Sequence, residues 1–204
     1  MELIIFFKVF FICLLGAMSP GPSWVLVVNN SLVKGKLNGI ATSLGHGIGI
    51  TIYALIANLG IVLLLKINIF YFSVIQFSAV LFLLYLGVKS FNSKLVFNKN
   101  DIYPQNASFL QGFFMAILNP KIFIWFTAIY SQFISSTNSF VFNSILVAIA
   151  GIVDAIWYIL LVLLVTSRPV LTFLKNKGYI FGKVVGIIFI FIGVLLLVRL
   201  FYDF

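Results

Sequence analysis

Apolar runs of about twenty residues or more follow one another along nearly the whole chain, each continuous rather than alternating. A helix needs roughly 20 apolar residues to cross about 30 Å of hydrocarbon. A membrane barrel would instead show stretches of ~ten residues alternating apolar and polar. Of 204 residues, 63% are hydrophobic and 8% charged, whereas soluble chains carry about 25% charged residues. The fold class expected is therefore an all-α membrane protein.

Six spans are expected, at about Leu3–Val28, Gly39–Leu65, Ile69–Val88, Phe109–Phe133, Phe140–Val165 and Tyr179–Phe201. The start reads as a retained first span rather than a signal peptide, since its n-region lacks net positive charge and the small-residue site runs into Pro20. The net charge of +9 resides in short connectors, a positive-inside pattern rather than a nucleic-acid surface. One side holds nine basic residues: Lys34, Lys36, Lys89, Lys94, Lys99, Arg168, Lys175, Lys177 and Lys183. The other holds three, Lys8, Lys66 and Arg199. The imbalance predicts that both termini are non-cytoplasmic.

Two spans are interrupted, the first at Pro20-Gly21-Pro22 and the fourth at Asn119-Pro120-Lys121. Proline removes a helical donor and clashes with the preceding turn. In hydrocarbon, the freed backbone groups survive only against protein or a water-lined cavity. Paired breaks in corresponding places of two halves mark a transporter binding site. The reading is one transmembrane transporter domain over 1–204, with repeat halves at about 1–93 and 105–204. Three spans per half make the second half an inverted copy, with helices 1 and 4 broken. Pro20 then matches Pro120, and Gly49 and Tyr53 fall opposite Asp154 and Tyr158.

Ionisable residues within spans are costly and are functional candidates. Three qualify: Lys121, Asp154 and the sole histidine, His46. Asp154 suits a proton carrier, or a structural ion pair with Lys121. Lys121 either faces the site or snorkels to an interface. His46 is either a second proton-coupling group or a hydrogen-bonded packing element. Asn119 is a good N-cap, and Ser23 adds a hydroxyl after Pro22, so both half-helices aim positive ends at the site. Gly45, Gly47 and Gly49 permit close approach of a helix or a ligand. Tyr53, Trp157 and Tyr158 are candidate pocket aromatics. Prolines that merely kink spans for packing are the competing explanation of the breaks.

Other chemistry finds no footing. There is no Walker glycine loop, serine elbow or zinc-type Cys/His spacing, so neither an enzyme, a resident metal nor a cofactor is expected. Cys13 alone makes no internal disulfide or dithiol pair.

The chain resembles the lysine-exporter (LysE) family of amino-acid efflux proteins, in particular its homoserine/threonine-efflux (RhtB) branch. The resemblance runs through Pro20-Gly21-Pro22, Ser31, Gly35, Gly39, Leu44-Gly45 to Gly49, Tyr53 and Asn58-Leu59-Gly60. It continues through Phe109, Gly112, Phe113, Leu118-Asn119-Pro120-Lys121, Gln132-Phe133, Asp154 and Trp157-Tyr158. It implies export of an amino acid or close derivative across the bacterial cytoplasmic (inner) membrane, driven by the proton-motive force. The partners implied are an amino-acid substrate, protons and the lipid bilayer, with no nucleic acid; a homo-oligomer stays open. Some members carry an acidic residue early in span 2, where Gly49 and Ile50 stand here, which disfavours a dicationic substrate. The competing functions are an inorganic cation exporter and a non-transporting membrane scaffold. A thiol-reductant carrier would need paired cysteines.

Overall fold

The computed structural model describes residues 2–67, 69–91, 107–119, 121–122, 125–126, 132–133 and 139–202. Pro120 and the connector residues 134–138 lie outside them. Among the described residues there are seven helices and no strand. They are α1 (Glu2–Met18), α2 (Pro22–Val33), α3 (Lys36–Ile67), α4 (Ile69–Phe91), α5 (Ser108–Ile117), α6 (Phe140–Val165) and α7 (Arg168–Tyr202).

Two helical stretches, Lys36–Gly60 and Phe140–Val165, are long and apolar enough to cross a membrane. A third span is made if Leu3–Met18 and Pro22–Val33, bent by 65° at the double proline, count as one. Val80–Phe91, Ser108–Ile117 and Gly182–Val198 are shorter apolar stretches. Large apolar side chains such as Phe7, Leu55, Ile152 and Phe191 are exposed, as lipid-facing positions require.

Two expected boundaries move. The polar stretch after Val28 stays helical to Val33, because Asn30 and Ser31 are buried and bonded rather than solvated. Ser31 donates to the Val27 carbonyl at 2.6 Å. Helix α2 ends at Lys34, followed by Gly35 at φ +91, a left-handed position suited to glycine. The expected basic loop holding Arg168, Lys175, Lys177 and Lys183 is instead the start of α7. Pro169 sits in the first turn of that helix, where its missing N–H has no intrahelical partner to lose. Basic charge marks the membrane side; it does not end a helix.

Helices α3 and α6 form the centre, flanked by α5 on α3 and α1 on α6. Their closeness is set by small residues. A Cβ at Gly47 would meet the Ala155 Cβ at 2.7 Å and the Gly151 carbonyl at 3.0 Å. A Cβ at Gly151 would meet Thr51, and the Gly47 carbonyl at 3.0 Å. The contact is reciprocal and antiparallel. Gly47 and Gly151 thus mark the point where α3 and α6 cross. Helices α4 and α7 make a similar contact: a Cβ at Gly87 would meet Ile190 at 2.7 Å, and one at Gly186 would meet the Phe91 backbone at 2.6 Å. Helix α5 runs parallel to α3, and Gly45 and Gly112 leave no room for a Cβ against the Phe109 and Thr42 carbonyls respectively.

Valine at Gly112 should therefore force α5 off α3, costing about 1–3 kcal/mol or more. Gly112→Val is expected to lower the detergent melting temperature and membrane abundance. Gly60→Ala, where nothing lies within 4 Å of the added Cβ, should leave both unchanged.

Candidate functional site

The break in the first span leaves the end of α1 and the start of α2 facing one another. The Ser19 N–H closes α1 on the Leu15 carbonyl at 3.0 Å. Gly21 is the N-cap of α2, with extended backbone and no side chain to cap the first turn. Pro22 brings no N–H to that first turn, and Gly21 brings no side chain to it. A Cβ on Gly21 would lie 3.5 Å from the Lys121 Nζ, so an ammonium stands directly over the break.

The second break is built differently. The Asn119 Oδ1 accepts from the Lys121 N–H at 3.1 Å, and the Asn119 carbonyl accepts from the Ile122 N–H at 3.0 Å. Asn119 consumes backbone donors that the sequence reading left free. What this break offers is the Lys121 side chain, which donates to the Ser19 Oγ at 2.6 Å. The Asn119 Nδ2 also reaches the Ser23 Oγ at 3.3 Å. Each break is held by groups of the other.

Opposite them, the His46 Nδ1 lies 2.7 Å from the Asp154 Oδ2, with both residues buried. The partner of Asp154 is this imidazole rather than Lys121. The Tyr158 ring packs edge-on against His46, centroids 4.9 Å apart. The His46 Nε2 is buried and has no hydrogen-bond partner among the described residues.

These groups line one cavity between the two breaks and the central helices. Gly21, Pro22, Ser23, His46, Asn119, Lys121 and Asp154 all face it, as does Tyr158. Gly45 and Gly49 do not; they face Phe109, Phe113 and Ala116 of α5. Tyr53 donates to the Ile117 carbonyl at the end of α5. Trp157 is half-buried against the apolar cluster of Trp24, Val27, Val28 and Val162. Pro20 stands at the break without lining the cavity. Sequence reasoning did not single out Ser19, Cys13, Gly16, Ile50, Trp125 or Ala150, which also line it. Ser19 alone carried a signal, since a residue just before a double proline ends a helix.

The comparisons bear on this arrangement. A family model described as LysE type translocator matches residues 14–200, taking in both breaks and the His46–Asp154 pair. The chain belongs to the LysE translocator family. The uncharacterized membrane protein YrhP of Bacillus subtilis (strain 168) is 30% identical over 192 residues, covering 86% of this chain and 90% of that protein. Leucine efflux proteins of Salmonella typhimurium (strain LT2) and Salmonella typhi are each 29% identical over 122 residues, covering 58% of either chain. No solved structure matches. Membership in this family makes the chain a multi-pass membrane transporter, with amino-acid efflux proteins among its relatives.

Removing one member of a buried polar pair strands the other, at a cost of about 3–5 kcal/mol. His46→Ala should therefore lower the melting temperature markedly, and adding Asp154→Asn in the same chain should recover much of the loss. Additive losses in the double variant would show that the two side chains are not coupled.

Proposed function

We propose that this chain exports an amino acid or close derivative across the bacterial cytoplasmic membrane in exchange for protons. The observation that carries the reading is that one cavity is lined by two opposite charges, the Lys121 ammonium beside the helix breaks and the Asp154 carboxylate on the central helix opposite them. A zwitterion presents the complementary pair. Its carboxylate is received by Lys121 at the positive N-terminal end of α2. Its ammonium is received by Asp154.

The proton step follows from competition. Asp154 already holds the His46 imidazole at 2.7 Å, and such a pair can carry one proton. An arriving ammonium takes the place of the imidazolium at the carboxylate, and the pair then releases its proton to the cytoplasm. When the substrate leaves on the outer side, a proton from that side restores the pair. The names of the leucine efflux relatives support an amino acid over an inorganic cation.

The architecture proposed is one transporter domain of six spans in two inverted halves. The reciprocal contacts of Gly47 with Gly151 and of Gly87 with Gly186 support it, since an inverted repeat pairs equivalent helices antiparallel. Both termini then lie outside the cytoplasm.

Asp154→Asn should insert at normal abundance and reduce export to background, measured as amino-acid accumulation in the medium of dipeptide-fed cells. Full export by an abundant Asp154→Asn protein would remove the carboxylate from the mechanism. A periplasm-active reporter fused after Phe204 should work while a cytoplasm-active one stays silent; the reverse pattern would overturn the orientation.

A further inference from the structure

The reciprocal contact of α3 and α6 also fixes what surrounds the charged centre. In an antiparallel pair, four residues forward on one helix correspond to four back on the other. With His46 beside Asp154, Ile50 and Ala150 share the next level, about 6 Å away. All four line the cavity. The pairing of Gly47 with Gly151 relates Ile50 to Asp154, and His46 to Ala150. The polar level on one side of the crossing thus has an apolar level as its counterpart on the other. Backbone pseudo-symmetry is kept while the chemistry is split.

The apolar level is part of a larger wall. Ile50 and Ala150 belong to the same buried cluster as Cys13, Ile122, Trp125 and Phe126, and each of these also lines the cavity. Trp125 is fixed at one end of that wall. A Cβ on Gly16 would meet its indole at 2.6 Å, and its ring packs on Phe189, with centroids 4.8 Å apart. No carboxylate or ammonium stands at this level among the described residues that line the cavity.

We infer that the Ile50–Ala150 level, closed by Trp125, is a subsite for the substrate's side chain, and that it selects neutral amino acids with apolar side chains. This deepens the exporter reading and rests on it. With its carboxylate at Lys121 and its ammonium at Asp154, an α-amino acid directs its side chain away from the polar level. A basic or acidic side chain would lose its hydration against Ile50, Ala150 and Trp125 with no counter-charge there. Ala150 leaves room that a longer aliphatic side chain fills, and Ile50 bounds it. One methylene more or less in such a wall changes discrimination by roughly 10–200-fold.

The test is amino-acid exchange in vesicles reconstituted with the full chain, using labelled alanine, leucine, phenylalanine, serine, glutamate and lysine. Leucine is expected to exchange at least about tenfold faster than serine, glutamate or lysine. Ala150→Leu should lower the leucine-to-alanine ratio by about tenfold, and Ile50→Ala should raise the phenylalanine-to-leucine ratio by a similar factor. Comparing ratios within each variant removes differences in abundance. If Ala150→Leu fails to insert, the Ile50→Ala ratio decides. Lysine or glutamate exchanged as fast as leucine, or size ratios unmoved in variants that still transport, would overturn the subsite while leaving the exporter reading intact. Exchange of no amino acid by the wild-type chain would bring down the exporter reading, and the subsite with it.

Discussion

A helix broken inside hydrocarbon leaves backbone groups that must be satisfied, and in this protein the side chains around the two breaks bind one another. Lys121 reaches across to Ser19, and Asn119 reaches across to Ser23 while also capping the turn that follows it. These two links tie the breaks together. The interdependence draws α1, α2 and the segment after α5 together against α3 and α6. The cavity is what remains between them.

The site is asymmetric. The first break contributes a helix start and the second an ammonium. One level of the central helices carries His46 and Asp154, and the next carries Ile50 and Ala150. Away from the cavity, a second polar network joins Asn30 to Thr42 at 2.8 Å and to Gln111 at 2.9 Å, and Lys34 to the same Gln111 oxygen at 3.1 Å. It ties α2, α3 and α5 at the end of the bundle where the first basic turn emerges.

The helical class, the bend at Pro20-Gly21-Pro22 and the candidacy of Asp154, His46 and Lys121 were legible because proline chemistry and the cost of intramembrane charge are local properties. The partner of Asp154 was not legible. Whether it meets Lys121 or His46 depends on the register of two helices more than a hundred residues apart, and that register rests on where glycine backbones touch. The same limit explains Gly45 and Gly49, whose spacing reads equally as ligand room or as helix contact, and which here serve contact with α5. It also hid Ile50, Ala150 and Trp125, apolar residues in an apolar sequence that only packing distinguishes. The start of α7 was misread for the opposite reason, since charge reports the membrane side and not helix continuity.

If an amino acid sits in the cavity between the breaks, the detergent-solubilised chain should bind a labelled exported amino acid saturably. Lys121→Met, which removes the ammonium lining that cavity, should abolish the binding while the melting temperature holds. Binding as tight in a folded Lys121→Met protein as in the unaltered chain would place the substrate elsewhere.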